Sequence, residues 1–234
     1  MLNPTFAPNG EIAVHYIALN AEATGLPVLI IPGMLGRAED YAEELAERTR
    51  RPLFCLSLRG RGMSTAPASG YSFREQLTDV QAVIDHLGLD EFVLFAHSAG
   101  VPFAVGAALN NAATTRGLAL ADYPPFYPAL NDEWVEHVLA SELPRDPEII
   151  KAMAREADET IFRDELGQLN MPVLLLRGAQ EGAMLNDDME AFYKHFTPDF
   201  RVQTLQTAGH EVLGEATQEF VGALEDFASQ LEAR

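Results

Sequence analysis

Cys55 is the only cysteine in the 234 residues, so no intramolecular disulfide can form. It lies in the apolar run Leu53 to Leu58 and reads as a buried small hydrophobe, not a reactive thiol. Long apolar runs are missing too: nothing approaches the ~20 residues that a bilayer-spanning helix needs. Met1 to Asn9 carries neither a basic stretch nor an apolar core, so no secretory signal is read there and a cytoplasmic location is expected. Basic residues are scarce, with 16 Lys and Arg against 35 Asp and Glu, a net charge of −19. At a pI of about 4.5, that balance disfavours nucleic acid and anionic membrane as partners. The partner expected is a small-molecule substrate, for a chain that is a monomer or a homodimer. The acidic residues are spread over segments such as Glu39 to Glu47, which marks a solvated surface and not a binding tail. No pair of histidines shows ligand spacing, so neither a metal nor another cofactor is expected.

Strands and helices alternate along what remains. Phe6 leads through Pro8-Asn9-Gly10 into the alternation Ile12, Val14, Tyr16, a hairpin signal. Leu26 to Ile31 and Leu53 to Leu58 are continuous apolar runs suited to strands buried on both faces. A helix is predicted between them, roughly Ala38 to Thr49. Ser72-Phe73-Arg74-Glu75 is a capping box that opens an amphipathic helix with Leu77, Val80, Val83, Ile84 and Leu87 inward, closed by Gly88. A strand at Leu118 to Ala121 precedes a stretch in which the rhythm lapses. That stretch holds two predicted helices, near Glu133 to Ser141 and Pro147 to Glu156, and reads as a helical cap. Strand Val173 to Leu176, helix Asp187 to Phe196, strand Val202 to Leu205 and helix Glu215 to Leu231 complete the chain. The pattern implies an α/β fold: a mostly parallel central sheet with helices on both faces and its site at the carboxyl ends of the strands.

Glu91 to Gly100, E-F-V-L-F-A-H-S-A-G, organises the chain. An apolar strand, Phe92 to Phe95, breaks sharply at Ala96-His97-Ser98-Ala99-Gly100 and resumes as a small-residue helix, Val101 to Leu109. A side chain held on such a turn needs small neighbours two residues to either side, because strand and helix pass close together there. Ser98 would project its hydroxyl above the sheet, with the Ala99 amide at a helix N-terminus suited to an oxyanion. A serine at this place can also simply cap a helix. Pro32-Gly33-Met34, after the first buried strand, can offer the Met34 amide as a second oxyanion donor. Of six histidines, only His210 directly follows a core strand, in a Gly-preceded loop, which suits a general base. An acid is needed to orient it. Glu181, after Val173 to Leu176, is favoured over Asp122, which ends the preceding strand; Ser…acid…His order accommodates either.

These segments together, P-G-M, L-R-G-R-G-M-S, A-H-S-A-G, R-G-A-Q-E-G and A-G-H, resemble an α/β-hydrolase-fold protein of the lidded, esterase-like kind over nearly the whole length. Three positions depart from the pattern: Ala96 replaces the first Gly, Ser57 stands where relatives often carry Asp, and Glu181 where Asp is usual. The resemblance implies a core of residues 1–122 and 170–234, with a cap at 123–169. It also implies Ser98 as nucleophile, His210 as base, and the amides of Met34 and Ala99 as oxyanion hole. Tyr123, Phe126, Tyr127 and Trp134 suggest an aromatic lid over the substrate, although each could equally pack the cap onto the core. The expected activity is hydrolysis of a carboxylic ester with an apolar acyl or aryl group. Carbon–carbon bond hydrolysis, lactonase, thioesterase and perhydrolase activities are rivals on the same fold, and a ligand-binding receptor with vestigial hydrolysis is a rival of another class.

Overall fold

In the computed structural model, which describes residues 3–141 and 146–234, eight strands form one sheet in the order β1-β2-β4-β3-β5-β6-β9-β10. These are β1 Pro4–Asn9, β2 Ile12–Leu19, β3 Val28–Ile31, β4 Leu53–Leu56, β5 Phe92–His97, β6 Thr115–Ala121, β9 Val173–Gly178 and β10 Phe200–Leu205. The β1–β2 and β2–β4 pairs are antiparallel, and every pair from β4 across to β10 is parallel. The middle strands are apolar on both faces, and each face is covered by helices. On one side lie α2 Phe73–Leu87, α3 Val101–Asn110 and α6 Asp187–Phe196; on the other lie α1 Ala38–Leu45 and α7 Thr217–Glu232.

Local chemistry sets these boundaries. At α2 the Ser72 side chain accepts from the Glu75 amide at 3.3 Å, and Glu75 accepts in return from the Ser72 amide at 3.2 Å. Gly88 ends the helix at φ 58°, a left-handed conformation that glycine adopts without strain. α3 is buried from Val101 to Ala108, so its small residues let it lie close against the sheet. α7 is clamped at its far end: the buried Arg51 guanidinium donates to Glu225 at 2.7 Å, Glu232 at 3.0 Å and the Leu26 carbonyl at 2.9 Å. Arg59 is also committed internally, with two bonds to the buried Asp79 carboxylate at 2.9 and 2.7 Å.

Several elements differ in extent from the expectations. α1 stops at Leu45 and gives way to a turn over residues 46–48. β9 and β10 are longer than predicted, reaching Gly178 and beginning at Phe200. Residues 123–169 hold α4 Asp132–Ala140 and α5 Pro147–Glu156, as the periodicity suggested, together with an unexpected ribbon of β7 Phe126–Tyr127 and β8 Thr160–Ile161. Residues 142–145 of the expected cap, and Met1 and Leu2, lie outside the described residues. Glu156 fastens this stretch to the loop before α2 by accepting from the amides of Gly70 and Tyr71 at 2.6 and 2.9 Å. Asp158 does the same at the Phe73 amide, at 2.8 Å.

Candidate active site

β3, β5 and β6 are neighbours in the sheet, and their carboxyl ends deliver Gly33-Met34, Ser98 and Asp122 to one crevice. Ser98 opens a short 3-10 turn between β5 and α3 at φ +54°, a region that non-glycine residues seldom occupy. The turn is tight enough to dictate its neighbours. A Cβ on Gly100 would come within 2.6 Å of the Ile31 carbonyl oxygen, and one on Gly33 would lie 3.0 Å from the Ser98 Cβ. Ala96, fully buried in β5, has room for its methyl group, so the expected first glycine is dispensable here.

His210 reaches this turn from the loop after β10. Its Nε2 lies 2.9 Å from the Ser98 Oγ, and its Nδ1 lies 2.9 Å from Oδ2 of Asp122. Asp122 is completely buried, at φ +48°. Its carboxylate also accepts from the Met184 amide at 2.7 Å and the Leu185 amide at 3.2 Å. A carboxylate held by two amides and facing Nδ1 takes that nitrogen's proton as a hydrogen bond. The Nε2 lone pair is then turned toward the serine hydroxyl.

The preference for Glu181 as the acid is corrected by this geometry. Glu181 sits in an exposed turn beyond β9, where the Ala183 amide donates to the Gln180 carbonyl. It approaches the His210 loop only through its backbone: a Cβ on Gly209 would lie 2.6 Å from the Glu181 carbonyl oxygen. The signal that favoured Asp122 was topological. The strand that follows the one carrying Ser98 lies directly beside it, so an aspartate at its end is the nearer carboxylate.

His97, left unassigned in the sequence, is buried behind the pair. Its Nε2–H donates to the His210 carbonyl at 2.7 Å, which leaves Nδ1 to accept from the Tyr41 hydroxyl at 2.8 Å. Burial lowers its pKa, against the nearby Glu211 charge that raises it, so the ring is held neutral. The donor atoms of His97, His210 and Glu211 lie within 4.8 Å of one another. Both nitrogens of both rings are already engaged, so these residues offer a metal no vacant ligand set.

Met34 and Ala99, the expected oxyanion donors, both belong to the turns around Ser98. Met34 is in a turn in which the Gly36 amide donates to the Gly33 carbonyl at 3.0 Å, and Ala99 directly follows Ser98. Buried Arg61 holds this loop, donating through Nε to the Met34 carbonyl at 2.9 Å and through Nη1 to Gln76 at 2.6 Å. Neither Arg59 nor Arg61 therefore presents a guanidinium without an acceptor to a ligand.

The crevice beside Ser98 is about 360 Å³, with Met34, Tyr41, His97, Glu211 and Leu213 in its walls. A second cavity of about 410 Å³ shares Leu35 with it and runs between Gly60–Met63 and the start of α5. None of the four predicted lid aromatics lines the first crevice. Tyr127 is fully buried, packed on Phe73 and Phe103 with its hydroxyl bonded to Gln76, and is corrected from lid to core. Phe126 packs edge-on against Phe192, and the Tyr123 carbonyl accepts from Tyr193. Trp134 packs with Leu35 and Leu130 against the Tyr71–Met153 cluster.

Comparison with known proteins bears on the fold. The family described as alpha/beta hydrolase fold matches residues 27–141, the segment that carries β3, the Ser98 turn and Asp122. The chain belongs to the α/β-hydrolase superfamily. Among curated proteins it is similar to the N-formylmaleamate deformylase of Pseudomonas putida, 25% identical over 265 residues that cover 95% of this chain and 97% of the relative. Among solved structures it resembles a putative aryl esterase from Burkholderia cenocepacia, with a TM-score of 0.80, 20% identity and full coverage of both chains. An esterase from a Rhodococcus species gives 0.78 at 18% identity, covering 98% of this chain and 99% of that one. The protein is thus a hydrolase of the α/β fold. Among the described residues, no helix is long and apolar enough to cross a membrane.

Proposed function

We propose that the protein is a serine hydrolase that cleaves a carboxylic ester through an acyl-enzyme. The observation that carries this reading is the unbroken chain Ser98 Oγ, His210 Nε2, His210 Nδ1, Asp122 Oδ2, with 2.9 Å at each hydrogen bond. His210 takes the hydroxyl proton as Ser98 Oγ bonds to the substrate carbonyl carbon. The carbonyl π electrons move onto oxygen, where the amides of Met34 and Ala99 donate to the oxyanion. Collapse of the tetrahedral intermediate expels the alcohol, which receives the proton from Nε2. Water then repeats the sequence on the acyl-enzyme and releases the acid. Asp122 keeps the imidazole in the required tautomer and stabilises the imidazolium that forms twice per cycle.

The 123–169 segment is proposed as a cap. α5 walls the neighbouring 410 Å³ cavity, where an acyl or alcohol group longer than the first crevice would extend. A second reading is favoured by the deformylase relative: the same groups would hydrolyse an amide, His210 protonating the departing nitrogen instead of an alkoxide.

Labelling with a fluorophosphonate probe, peptide mapping and an aryl-ester assay test the proposal. Adduct on Ser98, with turnover reduced by at least about a thousandfold in Ser98→Ala, is the expected result. Turnover retained in that variant would sink the mechanism. N-formyl amides tested beside esters of matched acyl size distinguish the two readings.

A further inference from the structure

One charged group in the crevice is not used by the chemistry above. Glu211 directly follows His210 and lines the same wall as Tyr41 and Leu213. A second carboxylate there, Asp40, is neutralised by the Arg37 guanidinium, with Nη2 to Oδ1 at 2.5 Å. Glu211 is exposed, and among the described residues no lysine or arginine forms a salt bridge with it. The neighbouring His97 does not cancel its charge, because burial disfavours the protonated ring. Among the described residues, no lysine or arginine lines the crevice. The nearby Arg61 donates instead to the Met34 carbonyl, the Arg59 carbonyl and Gln76. The negative field of Glu211 therefore falls on the substrate position, since a carboxylate oxygen lies within 4.8 Å of ring nitrogens of both His97 and His210.

We propose that Glu211 is a specificity-determining residue that selects substrates carrying a cationic, ammonium-class group a few bonds from the scissile carbonyl and disfavours carboxylate-bearing ones. This rests on the reading of Ser98 as the nucleophile. An ammonium seated on Glu211 would lie within a short alkyl chain of Ser98, and its attraction is partly screened because the carboxylate is solvated. A five- to tenfold selectivity at low salt, roughly, is the expected scale for one such charge pair, falling as salt is added.

The test compares three acetate esters: that of choline, its neutral isostere with tert-butyl in place of trimethylammonium, and an acetoxy carboxylate. In the wild type kcat/KM should fall in that order, the choline ester ahead of its isostere by about fivefold or more. In Glu211→Gln the ratio of choline ester to isostere should collapse toward one, and the penalty on the carboxylate should shrink. A wild-type ratio near one, or a ratio that survives Glu211→Gln, overturns the proposal. Binding of choline and of its neutral isostere alcohol to Ser98→Ala, followed by calorimetry, repeats the comparison without turnover. There too, a cation preference lost in Ser98→Ala/Glu211→Gln supports the proposal, and no preference overturns it. Absence of fluorophosphonate labelling would overturn the Ser98 reading instead, and the calorimetric comparison would still decide the role of Glu211.

Discussion

At the scale of single residues, the site is built from groups held where they would not rest alone. Ser98 and Asp122 both occupy positive φ, and both are locked by neighbours: Ser98 by the close passage of β3 and α3, Asp122 by two amides and His210. In the proposed mechanism the carboxylate acts through the tautomer of His210, so Asp122→Asn should lower kcat by about a thousandfold or more. Glu181→Gln, at an exposed turn, should leave it within about twofold. Ester turnover of the two purified variants checks this, and the opposite ranking would restore Glu181. Behind them, Tyr41 donates to a nitrogen of the buried His97. Tyr41→Phe leaves a buried acceptor unsatisfied, so a loss of about 1–3 kcal/mol in urea unfolding is expected. The same substitution loosens the His97 that holds the His210 carbonyl, so the rate of Ser98 labelling should fall with it. An unchanged rate would show that His97 only packs. Nothing in the sequence marked His97 for this role: a histidine beside the turn serine is visible, but its partner Tyr41 lies 56 positions away, on α1.

Whole elements were easier to read than the contacts between them. Continuous apolar runs revealed β3, β4 and β5, because parallel strands covered on both faces have no polar side to disguise them. The capping box and Gly88 marked both ends of α2 for reasons confined to a few residues. β7 and β8 were missed, since two-residue strands carry no periodicity, and β10 was underestimated because its exposed edge alternates polar residues. The preference for Glu181 failed for a related reason: chain order leaves both carboxylates possible, whereas sheet order puts β6 beside β5 and brings Asp122, not Glu181, against His210. The β5–turn–α3 unit gives the sharpest element-scale prediction. Gly100→Ala drives a methyl group toward two backbone carbonyls of the β3 exit that cannot retreat, so a loss of about 3 kcal/mol, or failure to fold, is expected. Ala96→Gly removes a methyl that fits and should cost only about 1 kcal/mol through backbone entropy. Urea midpoints of the two variants should therefore differ widely; similar values would mean that β3 and α3 can separate at no cost.

Across the whole molecule, the charge balance makes the response to acid the informative measurement, and two sets of groups divide it by pH. His15 and His97 are buried, and burial lowers both from the ordinary 6.5 despite the opposing charges of Glu39 and Glu211. Among the described residues, the His15 Nε2 also has no hydrogen-bond partner. With a folded pKa below the unfolded one, each contributes its full stability above 6.5. As pH falls from there toward the folded value, the unfolded chain binds protons that the native fold refuses, and stability declines. Glu232 is held below the ordinary 4.5 by the Leu26 amide and by Arg51, and Glu156 by amides and Arg155 that together outweigh its burial. Their contribution is intact above 4.5 and is lost as pH drops through their depressed folded values. Calorimetric Tm from about pH 8 to about pH 3 should therefore fall in two stages, the first beginning near pH 6.5 and the second below about 4.5. His15→Gln cannot take up a proton in that range. It should flatten the first stage whatever it does to Tm at neutral pH, because the slope reads only the difference in bound protons. A first stage as steep in His15→Gln as in the wild type would show that His15 opens to water before it titrates, leaving His97 to account for the loss.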